Sequence, residues 1–139
     1  MEVTLRRLND AVHFEADNGE GLTVQLDGAA GSDYGGEGKG MRPMQMLLAS
    51  VGGCSVFDVV AILKKQREDI QDVQVKVTGE REKGKTPSPF KSIHLHFILK
   101  GKLNPEKVKR AIELSVEKYC SVKESLDKNI KVSYDFEIV

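Results

Sequence analysis

Residues 41–65 read MRPMQMLLASVGGCSVFDVVAILKK, and this stretch decides the fold. Pro43 sits where a first helical turn accepts it, because the N–H it lacks would have no partner there. From Met44 through Leu47, Leu48, Val51 and Phe57 to Leu63 the apolar residues fall on nearly every side of a helix, and only Lys64-Lys65-Gln66-Arg67-Glu68 looks solvated. A helix apolar all round belongs at the centre of a domain or an oligomer. Gly52 and Gly53 each cost such a helix about 1 kcal/mol relative to alanine, so the pair needs a compensating reason beside Cys54, such as the close approach of another backbone.

Outward from this helix the period of the apolar residues changes. Val12 and Phe14, then Leu22, Val24 and Leu26, alternate across Asp17-Asn18-Gly19-Glu20-Gly21 and predict a β-hairpin. Residues 28–40, GAAGSDYGGEGKG, are glycine-rich and polar, and they read as a mobile surface loop without phosphate-loop spacing. Val73, Val75 and Val77, and again Ile93, Leu95, Phe97 and Leu99, alternate as two half-buried strands. Asn104-Pro105 is a helix start. Val108, Ala111, Ile112, Ser115, Val116 and Tyr119 mark one face of that helix, which delivers Cys120 near its C-terminal end. Ile130, Val132, Tyr134, Phe136 and Ile138 form a closing strand. The order predicts an α+β fold, a largely antiparallel sheet with helices on one face.

The 139 residues fit a single domain, 1–139. Lysine and arginine number 21 and aspartate and glutamate 21, so no electrostatic footprint for nucleic acid stands out. The N-terminus lacks the apolar core of a signal peptide, and glycines, serines and Asp58 interrupt the longest apolar run. A cytoplasmic protein that does not enter the membrane is expected. One small domain has trouble sheathing a helix that is apolar all round. Each large apolar side chain left wet would cost about 1.5–3 kcal/mol, which predicts an obligate homodimer with that helix central.

The two cysteines, Cys54 and Cys120, lie in different helices, so only the fold can bring them together. In a reducing compartment such a pair is better explained by chemistry than by a permanent staple.

The pattern P-x-x-x-L-L-x-x-x-G-G-C-S-x-x-D-V-V-x-I-L-K-K from Pro43, with the later A-I-E-L-S-V-E-K-Y-C-S-V, resembles the OsmC/Ohr superfamily of thiol peroxidases, in its YhfA-like branch. The resemblance runs over nearly the whole chain. It implies an OsmC-like fold, an intertwined homodimer with its active sites at the subunit interface, and reduction of small-molecule hydroperoxides at a cysteine thiolate. Cys54 would be the peroxidatic residue and Cys120 the resolving one, with an external thiol reductant and no cofactor. Arg7 best matches the family's activating arginine, ahead of Arg6; Arg42 is near in sequence only. The family's glutamate, nine or ten positions before the peroxidatic cysteine, is replaced here by Met44 and Gln45. A glutamine accepts a hydrogen bond from a guanidinium but brings no charge. Met44, Gln45, Leu47, Leu48, Val51 and Phe57 would line the substrate pocket.

A second class of function is a non-catalytic or redox-sensing module that holds a small apolar or acyl ligand on the same fold. His94 and His96 have metal-compatible spacing but no third ligand, so no metal site is expected. Asp58 reads as a structural polar residue, and Glu113, Glu117 and Lys118 as a solvated helix face.

Overall fold

The expected hairpin is present, with one more strand ahead of it. β1 (Thr4–Arg7), β2 (Phe14–Asp17) and β3 (Thr23–Leu26) form an antiparallel meander in that order. The β2–β3 turn is closed by its own side chains. Asp17 accepts from the Gly19 amide at 2.6 Å, and Asn18 accepts from Glu20 and Leu22 at 2.9 and 3.2 Å. The computed structural model describes residues 1–139 in two compact units, residues 1–47 and 48–139, and the division falls inside a helix.

In the first unit, residues 28–40 hold no helix or strand, yet they are not loosely strung. Asp27, 2% exposed, accepts from the amides of Gly28, Lys39 and Glu37 at 2.7, 3.1 and 3.2 Å. Burial opposes ionisation of Asp27, but these three donors outweigh it and hold the carboxyl below its usual range. The glycines therefore wrap a buried anion, where the sequence suggested only mobility.

Helix α1 (Pro43–Lys65) begins with a reciprocal cap. The Arg42 amide donates to Gln45 Oε1 at 3.0 Å, while the Gln45 and Met46 amides donate to the Arg42 carbonyl at 2.9 and 3.0 Å. Its 23 residues run without a break through Gly52 and Gly53. By length and composition alone α1 could cross a membrane.

In the second unit β4 (Asp69–Arg81) pairs antiparallel with β5 (Phe90–Lys102), and β6 (Lys131–Ile138) pairs parallel with β5, with Leu95 opposite Tyr134. The expectation of a largely antiparallel sheet is thus corrected at β6. Alternation reports which face is buried, not which way the strand runs. The direction follows from the connection, which is long enough for a parallel return and carries helix α2 (Pro105–Leu114), a π-helical turn (Ser115–Tyr119) and the short α3 (Ser121–Glu124). The Asn104 side chain caps α2 by accepting from the Glu106 amide at 2.9 Å.

The core joins Ile93, Leu95, Phe97 and Leu99 of β5 with Val51, Val59 and Leu63 of α1 and Val108, Ala111 and Ile112 of α2, all fully buried. Within this chain α1 is not covered all round: its buried positions are the stripe Val51, Gly52, Ser55, Val59 and Leu63, and Phe57 is 76% exposed. One sheet covers only one side of a helix. Gly52 has a close approach to a side chain rather than to another backbone, since a Cβ there would stand 2.7 Å from Val77 Cγ2; Gly53 has nothing within 4 Å.

Candidate functional site

Cys54 is half-buried on α1, and the next residue, Ser55, is fully buried. Cys120 arrives by a different route. The π turn closes with the Cys120 amide donating to the Ser115 carbonyl at 2.8 Å, so Cys120 stands above Ser115 and not one α-helical step further round. Ser115 is itself fully buried. Its Oγ donates to the Ser55 carbonyl at 2.9 Å and lies 3.4 Å from Asp58 Oδ2.

This stacking brings the two cysteines together. Both are free thiols, and Cys54 lies close enough to raise the Cys120 thiol. Cys120 is 3% exposed, and its sulfur accepts from Ser55 Oγ at 3.5 Å and from the Lys123 amide at 3.4 Å. Burial pushes the Cys120 thiol up; the Lys123 amide and the Ser55 hydroxyl oppose that, and the neighbouring Cys54 adds to it. The result is an asymmetric dithiol, one sulfur reachable and one dry. Such a pair can oxidise at the reachable sulfur and close to a disulfide on the buried one.

A second bond anchors the π turn. Tyr134 Oη on β6 donates to Glu117 Oε1 at 2.5 Å, and burial together with that carboxylate pushes the Tyr134 phenol up to about 12. Glu117 is thus committed to Tyr134, while Glu113 faces Arg110 at 3.6 Å. Lys118 rests near the Tyr119 ring, 5.9 Å from its centroid.

The other sequence-predicted residues are placed as follows. Arg7 Nε donates to the Ala11 carbonyl at 2.8 Å, and the same guanidinium bonds the Asp10 carbonyl. Arg6 instead pairs with Glu15 and Asp17, each at 3.2 Å. Gln45 Oε1 is occupied by the α1 cap. Met44, Leu47 and Leu48 are half-buried and Gln45 is exposed. Val51 lies in the buried stripe while Phe57 points to the open side, so those two do not share a face.

His94 meets Ser133 at 2.8 Å and Asp135 at 3.1 Å, and His96 meets Asp135 at 2.6 Å and Glu137 at 3.1 Å. Asp135, then Glu137, raises the His96 pKa. No group of three histidine, cysteine or acidic side chains is arranged to hold a metal ion.

Ser55 and the Lys123 amide were not legible as part of this arrangement. Ser115 carried a signal, since it is the polar member of an otherwise apolar helix face.

Residues 36–135 match the profile of the OsmC-like protein family. The Escherichia coli K12 protein YhfA is 40% identical over 131 residues, which are 94% of this chain and 92% of that protein. The crystal structure of a hypothetical protein from Aquifex aeolicus VF5 is 32% identical with a TM-score of 0.80, covering 99% of this chain and 96% of that one. The organic hydroperoxide resistance protein OhrB of Bacillus subtilis shares the fold, at 23% identity and a TM-score of 0.64, covering 98% of this chain and 96% of its own.

Proposed function

The chain belongs to the OsmC-like protein family, and from that premise we propose that it is a thiol-dependent peroxidase reducing organic hydroperoxides, with Cys54 peroxidatic and Cys120 resolving. The observation that carries the reading is the asymmetric dithiol: a half-buried Cys54 beside a buried Cys120 whose sulfur is held by Ser55 and the Lys123 amide.

The chemistry follows from that asymmetry. The Cys54 thiolate attacks a peroxide oxygen; the O–O bond breaks, the alcohol leaves and Cys54 becomes a sulfenic acid. Cys120 then attacks that sulfur through its own sulfur, water leaves, and a disulfide forms. An external dithiol supplies two electrons to restore both thiols. That a protein of this fold is named for organic hydroperoxide resistance supports the substrate class.

Arg7 is the proposed activating cation. Its hydrogen bonds go to carbonyl groups, whereas Arg6 is spent on two carboxylates. Hydrophobic hydroperoxides fit the apolar side chains of α1, and the exposed Phe57 supports a second copy covering that side, with the sites at the interface of a homodimer. The compartment this reading takes is a reducing cytoplasm, where such a pair returns to the dithiol.

One observation favours the other reading, a redox-sensing or ligand-binding module. Met44 and Gln45 stand where the family has its glutamate, and the Gln45 carbonyl is engaged in the helix cap. The test is consumption of cumene hydroperoxide with a dithiol reductant. Turnover that Cys54→Ser abolishes supports the peroxidase; no turnover by the wild type, with Cys54 still intact, supports the module. Light scattering tests the dimer, for which a mass near the 15.4 kDa of one chain would be decisive against it.

A further inference from the structure

We propose that Ser55 is a positioning residue that makes Cys120 the leaving sulfur when the Cys54–Cys120 disulfide is reduced, and so directs an incoming thiol to Cys54. This deepens the peroxidase reading and rests on it for the place of that step in a catalytic cycle, but the regiochemistry belongs to the dithiol itself.

In thiol–disulfide exchange the attacked sulfur keeps the reductant and the other leaves as a thiolate, faster when that thiolate is stabilised. Access and the hydrogen bonds at Cys120 point the same way, and both work against burial, which raises the Cys120 thiol and by itself disfavours its departure as a thiolate. Cys54 is half-buried and Cys120 is 3% exposed, so an external thiol reaches Cys54 first. The Cys120 sulfur meets two donors, Ser55 Oγ at 3.5 Å and the Lys123 amide at 3.4 Å. Ser55 is fully buried, so no bulk water competes for its hydroxyl, and its backbone carbonyl is fastened to Ser115 Oγ at 2.9 Å. Hydrogen bonds strengthen when the acceptor becomes charged. The Ser55 donor therefore stabilises Cys120 most as the S–S bond breaks and negative charge gathers on it.

The exchange balances as follows. One thiolate of an external dithiol attacks Cys54 Sγ; the Cys54–Cys120 bond breaks and its electron pair goes to Cys120 Sγ, which then takes a proton. The second thiolate of the reductant attacks the sulfur of its own mixed disulfide, and Cys54 leaves as a thiolate. Two electrons pass to the protein and the reductant ends as a cyclic disulfide.

The test separates this inference from the peroxidase reading by forming the disulfide with diamide as well as with cumene hydroperoxide. Oxidised wild type and Ser55→Ala are treated with glutathione, a monothiol that leaves a mixed disulfide, and peptide mapping locates it. Wild type is expected to carry glutathione on Cys54. In Ser55→Ala part of it moves to Cys120, and reduction by dithiothreitol slows about tenfold, the loss of one hydrogen bond to a charged sulfur. A merely structural Ser55 would do the opposite, because loosening exposes the disulfide and speeds its reduction. Glutathione on Cys120 in the wild type, an unchanged site and rate in Ser55→Ala, or no disulfide after diamide would each overturn the proposal; the first and last need no variant to fold. A disulfide that forms with diamide but not with the hydroperoxide would overturn the peroxidase reading and leave the role of Ser55 standing.

Discussion

Ser115 Oγ donates to the carbonyl of Ser55 at 2.9 Å, the shortest of the buried bonds that fasten the π turn leading to Cys120 to the helix that carries Cys54. The geometry of the dithiol depends on this bond, because nothing covalent joins the two helices there. Ser115→Ala is expected to lower stability by about 1 kcal/mol, the net worth of one such bond, and to slow closure of the disulfide by diamide. Urea unfolding and a thiol-loss time course check the two effects. Wild-type stability and closure rate in the variant would show that the π turn is held by other means.

Gly52 marks the tightest approach of α1 to the sheet. A Cβ there would meet Val77 Cγ2 at 2.7 Å, and valine is stiff at χ1. Gly52→Ala should therefore destabilise by about 1–2 kcal/mol, since overpacking outweighs the gain of about 1 kcal/mol in helix propensity. Gly53→Ala, with nothing within 4 Å in this chain, should instead stabilise by up to about 1 kcal/mol, the helix-propensity gain alone. Thermal midpoints of the two variants, read side by side, check the ranking.

Tyr134 gives the fold an alkaline limit. Burial, and then Glu117, raises its phenol to about 12, above the unfolded value of about 10. The folded state therefore binds this proton more tightly than the unfolded one. Its contribution is fully present below pH about 10 and is lost as pH rises toward about 12. A phenolate titration should show one late-ionising tyrosine, which Glu117→Gln moves back toward the ordinary value. A late tyrosine unmoved in that variant would leave burial as the whole cause.

Asp27 should act in the opposite direction. Its carboxyl is held below the usual range in the folded state, so its contribution is present above the unfolded value of about 3.9 and fades as pH falls through the folded one. Limited proteolysis checks this. Wild type should resist cleavage in residues 28–40 at neutral pH, and Asp27→Asn, which exchanges an acceptor oxygen for a donor, should be cut there. Equal resistance in both would show that the glycine-rich segment does not depend on the carboxylate.

Several parts of this molecule were legible from local chemistry. Pro43, the Asp17–Gly21 turn and Asn104-Pro105 each announce a boundary through a preset φ, a side-chain turn or a cap. Alternation in β4, β5 and β6 shows which residues face the core. What stayed hidden was non-local. The direction of β6 is set by the length of its connection, and the open side of α1 by how much of a helix one sheet can cover. The loop around Asp27 looks mobile in composition because glycine reports what the backbone can do, not what holds it. Cys54 and Cys120 stood out as a pair, but Ser55 did not, because a serine acquires this role only through the π turn that brings Cys120 over it.

The most direct test is the intact mass of the reduced protein after one equivalent of cumene hydroperoxide, in the wild type, Cys54→Ser and Cys120→Ser. Loss of two hydrogens in the wild type within seconds, added oxygen on Cys54 in the Cys120 variant and no change in the Cys54 variant are the expected results. A wild type that keeps its reduced mass over minutes, while its thiols remain free, would contradict a peroxidatic Cys54 resolved by Cys120.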